Sequence, residues 1–171
     1  MSILYADGGC IGSNPSPIGG TWAYVLIHND GETILKQDSG VITAEEMECP
    51  CTNNQMEFYA ILRGMINANP NRLKMVCSDS NITLGRFFKG WSITNIPTWM
   101  LKSFREMKLL YNTNPFTGAI KMKYTLIDGH PTKDQLENGF GKRGHITSKF
   151  NVLCDQMCND AGIKYLKKVE V

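Results

Sequence analysis

The sequence lacks any apolar run long enough to cross a bilayer. Its opening residues, MSILYADGG, also lack the positive start and long apolar stretch of a secretory signal. We therefore expect a soluble cytoplasmic protein, or one of the host cytoplasm if the chain is viral, with no membrane partner. The chain has 171 residues and is 42% hydrophobic, which is enough for one sizeable core. We expect a single domain over residues 1–171.

An excess of charge of either sign is also missing, because 18 Lys and Arg residues face 16 Asp and Glu residues. Composition alone therefore gives no argument for a polyanionic partner. Any binding of nucleic acid has to come from local groups of side chains.

No CxxC pair and no second group of Cys and His residues stands at a recognised zinc-ligand spacing. Zinc binding by Cys49 and Cys51 is therefore set aside. A cytosolic chain of this size needs no disulfides, so we expect reduced thiols throughout. The six cysteines are Cys10, Cys49, Cys51, Cys77, Cys154 and Cys158.

Short apolar segments in the first third of the chain predict strands. Residues 2–6 read as a buried strand that ends at Asp7. Residues 21–29 are rich in aromatic and β-branched side chains, and residues 32–43 follow a turn. These segments predict an antiparallel three-stranded meander. We expect residues 44–51 to form a loop.

The middle of the chain predicts a crossover between parallel strands. Side-chain oxygens at residues 52–54 are suited to capping a helix, which continues over 55–68 until Pro70 stops it. The strand over 73–78 then ends at Asp79. A strand, a long helix and a further strand favour parallel pairing, and hence a mixed sheet.

The second half adds one strand and three helices. The fold class predicted from all these segments is α/β, with a mixed five-stranded sheet of three antiparallel strands plus parallel strands, flanked by helices. Residues 164–171 are a basic tail without a predicted structure. The further segments are helices over 81–91, 97–111 and 149–162 and a strand over 121–127.

Two aspartates directly follow buried strands, at the positions where open α/β sheets place their ligands. These are Asp7 and Asp79. Glu57 stands in the first turn of its helix, over a face that is expected to pack on the sheet, where a solvated glutamate would not normally lie. Asp155 shares a helix face with Asn151. If Asp155 is considered by itself, we expect its face of the last helix to be exposed to solvent.

Four carboxylates drawn to one end of a sheet would repel one another unless cations neutralised them. The arrangement therefore implies a metal. Ligands that are all oxygen favour Mg²⁺ or Mn²⁺ over zinc, and two such ions can activate water and stabilise a phosphoryl transition state. This chemistry is typical of a phosphodiester hydrolase.

Five segments resemble those of type 1 ribonuclease H, in the same order along almost the whole chain. The resemblance implies the family's mixed five-stranded sheet and its cleavage of the RNA strand of RNA/DNA hybrids. It implies two Mg²⁺ ions, for which Mn²⁺ can substitute, products with 3′-hydroxyl and 5′-phosphate ends, and no sequence preference. The segments are YADGGCIGSNPSPIGGTWAYVL, TNNQMEFYAI, CSDSN, the Gly-His at 129–130 and NVLCD.

The same resemblance assigns residues to the site. It implies that four carboxylates are catalytic and bind the metal: Asp7, Glu57, Asp79 and Asp155. It implies substrate contacts for Cys10, Asn14, Asn53, Asn54 and Asn81. Contacts to 2′-hydroxyls in the minor groove are how a protein tells an RNA strand from DNA. Relative to the family's pattern, Ser13 is an extra residue directly before Asn14.

The resemblance also implies a catalytic histidine on a mobile loop, and two residues compete for that role. His130 directly follows the fifth strand, whereas His145 has the spacing to Asn151 of a shorter loop. We favour His130, which makes residues 131–148 an inserted lobe over the hybrid. The family's separate hybrid-binding domain is not seen, and we expect a monomer.

Two other functions remain open from the sequence. One is a DNA nuclease of the same superfamily, such as a junction resolvase or an integrase-like enzyme. The other is a non-catalytic module that binds nucleic acid through the same surface. Because all four acidic positions are filled, a non-catalytic module is disfavoured. Cleavage assays on hybrid, duplex DNA and four-way junctions would distinguish a DNA nuclease from a ribonuclease H.

Overall fold

The structure is a computed structural model that describes residues 1–170. Its strands are β1 (Ser2–Cys10), β2 (Gly19–His28), β3 (Ile34–Thr43), β4 (Leu73–Ser78) and β5 (Lys123–Leu126). Its α-helices are α1 (Ala44–Met47), α2 (Asn53–Asn67), α3 (Asn81–Phe88), α4 (Thr98–Lys108), α5 (Lys133–Asn138) and α6 (Lys149–Val169). One 3₁₀ turn covers Lys142–Gly144.

The five strands form one sheet in the order β3-β2-β1-β4-β5. The pairs β1–β2 and β2–β3 are antiparallel, whereas β1–β4 and β4–β5 are parallel. The predicted meander, crossover and mixed sheet are therefore confirmed. The parallel pairs bring the carboxyl ends of β1, β4 and β5 to one edge of the sheet.

Side-chain alternation along β1 serves a helix layer on each face of the sheet. Leu4 and Ala6 belong to the large core cluster shared with α2, α3 and α4. Ile3 and Tyr5 pack on the opposite face against a smaller cluster that includes Phe150 of α6. Both faces of β1 are thus covered, which fixes its position relative to α2 and α6.

Helix α2 begins at a capping box and lies very close to β1. The Thr52 hydroxyl accepts a hydrogen bond from the Gln55 N–H, and the Gln55 side chain accepts one from the Thr52 N–H. A Cβ built at Gly8 would overlap the backbone of Met56. Only glycine allows this approach, which places the first turn of α2 against the end of β1.

Several predicted boundaries were wrong. Strand β1 does not end at Asp7 but continues to Cys10, because it stays paired with β2 as far as Gly20. The predicted loop over 44–51 contains α1, which a capping box between Thr43 and Glu46 stabilises. Residues 164–169 of the basic tail, for which no structure was predicted, form the last turns of α6, which ends at Val169.

Residues 131–148, predicted to be an inserted lobe, have structure of their own. They contain α5 and the 3₁₀ turn, and the chain then returns to the sheet through a parallel bridge between Ile127 and Ile146. The Thr147 N–H donates to the Gly139 carbonyl at 3.1 Å, and the Thr147 hydroxyl donates to the Gln135 carbonyl at 3.2 Å. The lobe is therefore fastened both internally and to the end of β5.

Two expectations concern what the described residues do not contain. All six cysteines are free thiols. No helix within residues 1–170 is both long and apolar enough to span a membrane.

Candidate active site

Asp7 and Asp79 lie side by side at the carboxyl edge of the sheet. The parallel register pairs Tyr5 with Cys77, two residues before each aspartate. Asp7 is in the last part of β1, and Asp79 directly follows β4. The sheet topology therefore brings together two side chains that are 72 positions apart in the sequence.

Glu57 reaches the same edge from the first turns of α2. The contact between Gly8 and Met56 holds this turn over the end of β1. Burial raises the pKa of Glu57 to about 7, with a further increase from the charge of Asp79, while the Ser80 side chain lowers it. A group of this kind is half protonated near neutral pH unless a cation compensates it.

Helix α6 brings Asp155 to the two aspartates. The Cys154 thiol donates to the Tyr5 carbonyl at 3.6 Å, and the Cys158 thiol donates to the Asp7 carbonyl at 3.5 Å. The expectation of a solvated face was wrong, because Asn151 is fully buried and Asp155 is only partly exposed. The buried face of α6 was predicted from its apolar residues alone. The prediction therefore missed this face, because one of the buried residues is Asn151.

The charges of these carboxylates act on one another. Burial raises the pKa of Asp7 well above its usual range, and the charges of Asp79, Asp155 and Glu57 raise it further. Burial also raises the pKa of Asp79, and Asp155 adds to the effect. All four predicted carboxylates therefore share one electrostatic environment with an excess of negative charge.

The donor set fits a hard divalent cation. It consists of carboxylate oxygens, and Asp79 Oδ1 is buried without a hydrogen-bond partner. Within residues 1–170, no three Asp, Glu, His or Cys side chains already converge as closely as the ligands of one ion. The side chains share the edge of the sheet, and a cation would have to draw their oxygens together.

Three of the predicted substrate residues form a hydrogen-bonded group beside Glu57. The Cys10 N–H donates to Asn53 Oδ1 at 3.1 Å, and the Asn53 N–H donates to Asn14 Oδ1 at 3.3 Å. The Cys10 thiol donates to the Cys51 carbonyl at 3.1 Å, and its sulfur also lies 3.6 Å from Asn14 Oδ1. These contacts join the loop after β1 to the start of α2.

An open cleft of about 960 Å³ runs alongside this group. Its lining contains Asn14, Asn53, Asn54 and Glu57, so predicted substrate residues and one of the predicted metal-binding carboxylates share one surface. Asn81, by contrast, is the exposed first residue of α3 and does not line this cleft.

The two candidate histidines have different surroundings. A Cβ built at Gly129 would overlap the Asp79 carboxylate, so the turn that carries His130 lies directly against Asp79. The charge of His130 lowers the pKa of Asp79. The backbone of His145, in contrast, pairs within the lobe, where its carbonyl accepts from the Gly141 N–H at 2.8 Å.

Arg86 also lines the cleft, although it was not among the predicted substrate residues. Its Nη2 donates to Thr94 Oγ1 at 3.3 Å, while Nε and Nη1 are buried without a partner. Burial lowers the pKa of its guanidinium group. The loop after α3 folds back onto the helix here, and only a glycine at residue 85 leaves room for the Trp91 ring.

Comparisons with known proteins agree with this arrangement. A ribonuclease H of Thermoanaerobacter pseudethanolicus is 28% identical over 162 residues, covering 92% of this chain and 86% of that protein. A ribonuclease H of Treponema pallidum is 23% identical over 167 residues, covering 92% and 88%.

Solved structures show the same fold. The crystal structure of LC11-RNase H1 in complex with an RNA/DNA hybrid superposes with a TM-score of 0.61 at 19% identity, covering 97% of this chain and 99% of that one. RNase H1 of Halobacterium salinarum gives a TM-score of 0.57 at 18% identity, covering 94% and 96%. The family model for RNase H matches residues 1–161. Because this match spans nearly the whole sequence, the chain belongs to the RNase H family.

Proposed function

We propose that the protein is an endoribonuclease that hydrolyses the RNA strand of RNA/DNA hybrids. The observation that carries this proposal is the cluster of Asp7, Glu57, Asp79 and Asp155 beside a cleft lined with asparagines. The products expected from this chemistry end in a 3′-hydroxyl and a 5′-phosphate. Related ribonucleases H, and a structural neighbour bound to an RNA/DNA hybrid, support the same substrate.

The four carboxylates are the residues that would hold divalent cations, two Mg²⁺ ions with Mn²⁺ as a substitute. Such cations, when bound, supply a more acidic water and neutralise charge on the phosphate. The raised pKa of Asp7 and the unpartnered Asp79 Oδ1 both fit ligands that are incomplete without a cation. The protein contributes by holding four oxygen donors at one edge of a rigid sheet.

Recognition of the hybrid is assigned to the group around α2. Asn53 and Asn54 offer amide donors and acceptors on the cleft surface, which suits the 2′-hydroxyls and base edges of a minor groove. Cys10 and Asn14 fix the adjoining loop. Arg86 adds one cation to the same cleft. Contacts of these kinds carry little base information, which fits cleavage independent of sequence.

His130 is assigned to proton transfer near the scissile phosphate. Its turn lies against Asp79, and an imidazole is suited to this role near neutral pH. Lys133, Lys142 and Arg143 are exposed on the adjoining lobe and would meet phosphates of the hybrid. Their contribution is expected to weaken as the salt concentration rises.

The protein is proposed to act as a monomer in the cytoplasm. One chain supplies all four carboxylates and the cleft, so the site needs no residue from a second copy. Its six free thiols suit a reducing compartment.

The test is the activity of Asp7→Asn and Asp79→Asn on a hybrid labelled in its RNA strand. Each substitution keeps the shape of the side chain but removes a ligating charge, so cleavage should be lost while the protein stays folded. Asp134→Asn, on the exposed surface of α5, is the matched control and should cleave normally. Turnover by the Asp7→Asn protein near the wild-type rate would contradict the proposal.

A further inference from the structure

Asp128 joins three separate pieces of backbone at the end of β5. Its Oδ1 accepts a hydrogen bond from the His130 N–H at 3.0 Å, and its Oδ2 accepts one from the Lys142 N–H at 2.7 Å. Its own N–H donates to the Ile146 carbonyl at 2.9 Å. One residue thus contacts the histidine turn, the 3₁₀ turn and the segment that returns to the sheet.

The packing around Asp128 is specific to this carboxylate. A Cβ built at Gly141 would overlap Asp128 Oδ2, so the lobe leaves room for the carboxylate only because residue 141 is glycine. The backbone of Gly141 has φ −98°, a conformation open to other residues. The glycine is therefore required here by the contact with Asp128 and not by its dihedral angles.

The charge state of Asp128 agrees with this role. Burial raises its pKa, but the N–H groups of His130 and Lys142 and the nearby positive charges together outweigh this effect and hold the pKa below its usual value. The carboxylate is therefore ionised at neutral pH and accepts both hydrogen bonds. Hydrogen bonds to a charged acceptor are stronger than those between neutral groups.

The contacts of Asp128 lead directly to the active site. Gly129 lies against the Asp79 carboxylate, and the next residue is His130. The position of the His130 backbone is thus fixed on one side by Asp79 and on the other by Asp128. Without the Asp128 side chain the turn would lose both carboxylate hydrogen bonds, while the backbone bond from the Asp128 N–H to the Ile146 carbonyl and the contact of Gly129 with Asp79 would remain.

We propose that Asp128 is a positioning residue that holds His130 beside Asp79 and uses the inserted lobe as its second anchor. The inserted lobe, residues 131–148, then has a structural task in the reaction besides presenting cations: it supplies the Lys142 N–H that orients the Asp128 carboxylate. This inference rests on the proposed function, because the placement of His130 matters only if the site around Asp79 cleaves the RNA strand of the hybrid.

The experiment compares Asp128→Ala with Asp134→Ala in steady-state cleavage of an RNA/DNA hybrid at saturating Mg²⁺. Both carboxylates belong to the same region, but Asp134 lies on the exposed first turn of α5. Asp128→Ala should lower kcat about tenfold, because the hydrogen bond to the His130 N–H is lost, with a smaller rise in KM from the lost hydrogen bond to the Lys142 N–H. Asp134→Ala should leave both parameters unchanged.

A double-mutant cycle with His130→Ala separates positioning from a general structural effect. If Asp128 acts through His130, adding Asp128→Ala to His130→Ala should lower kcat no further. Two fully additive losses would overturn the inference, as would an Asp128→Ala enzyme with wild-type kcat. If the wild-type protein and Asp134→Ala both fail to cleave the hybrid, the proposed function has failed instead.

Gly141→Ala provides a second variant in case Asp128→Ala does not fold. It leaves the carboxylate in place but forces it away from its position, and its backbone conformation is open to alanine. The same loss of kcat is expected, without a further loss in the Asp128→Ala background. In the metal-free proteins, faster amide exchange at His130 and Lys142 should accompany the change. Unchanged exchange at both amides in Gly141→Ala would overturn the inference.

Discussion

Glu57→Gln should abolish cleavage and yet stabilise the metal-free fold. Glu57 is half-buried at the edge of the sheet, where burial and the charge of Asp79 raise its pKa to about 7. Glutamine keeps the size and hydrogen-bonding capacity of the side chain but has no charge to desolvate. The same substitution removes a proposed metal ligand, so stability and activity should change in opposite directions.

The size of the effect follows from the pKa of Glu57. A rise from the usual value of 4.5 to about 7 corresponds to about 3 kcal/mol of unfolding free energy. At pH values below 4.5 the carboxyl is protonated in both the folded and the unfolded chain, so the substitution changes little. As the pH rises, the unfolded chain ionises first and the wild-type fold loses stability until the pH passes about 7.

The assay is thermal and denaturant unfolding in chelator at about pH 5 and about pH 8, with Glu106→Gln as the control. Glu106 is an exposed residue of α4. For a chain of this size about 3 kcal/mol corresponds to an increase in Tm of roughly 6–12 °C. Glu57→Gln should show this increase at the higher pH and much less at the lower one. Added Mg²⁺ should then stabilise the wild-type protein more than the variant.

Two results would refute this reasoning. One is a Glu57→Gln protein that is no more stable than Glu106→Gln at about pH 8 in chelator. The other is a difference in stability between Glu57→Gln and the wild-type protein that shrinks as the pH rises. Such a result would mean that the surroundings stabilise the ionised Glu57 carboxylate and do not destabilise it.

Three further outcomes are expected. Replacing both Asn53 and Asn54 with alanine should raise KM for the hybrid about tenfold with the Mg²⁺ dependence unchanged; an unaltered KM in steady-state assays would remove them from substrate binding. His130→Ala should slow turnover roughly a hundredfold and His145→Ala should not, and the reverse result would move the catalytic role to the second histidine. Gly8→Ala should lower the unfolding free energy by about 1–3 kcal/mol, because its Cβ would overlap the backbone of α2; denaturant unfolding at wild-type stability would contradict this packing.

Local sequence patterns were sufficient to predict a mixed sheet in which an antiparallel meander is followed by parallel strands. The long helix between the predicted strands over residues 32–43 and 73–78 indicates a crossover between parallel strands. The prediction of parallel pairing follows from chain geometry alone. Asp7 and Asp79 could be predicted as site residues because each directly follows a predicted strand, whereas the pairing of β1 with β4 that makes them neighbours is seen only in the structure.

Other features depend on contacts that a local pattern does not contain. Asn151 is fully buried in α6 with its side-chain N and O atoms unpartnered, so the division into apolar and polar faces failed around Asp155. Arg86 enters the cleft because the chain after α3 folds back over Gly85. Neither position is predictable without knowing which distant segments pack against these helices.

The missed helix α1 is a different case, because its signal was present. Thr43 and Glu46 form a capping box, the pattern that also begins α2 and α5. The helix has only four residues, and its short length made a loop the simpler prediction. The lobe contacts of Asp128 had no such signal, since they join residues 14 positions apart through backbone groups.

The most direct test of the central claim is cleavage of one labelled RNA strand presented in an RNA/DNA hybrid, with Mg²⁺ and again with chelator. The same DNA sequence as a duplex and a four-way junction are the comparison substrates. We predict that the RNA strand of the hybrid is cut at many positions, that each product ends in a 3′-hydroxyl, and that chelator stops the reaction. Cleavage of either DNA substrate at a comparable rate, or binding of the hybrid without hydrolysis in Mg²⁺, would contradict the account.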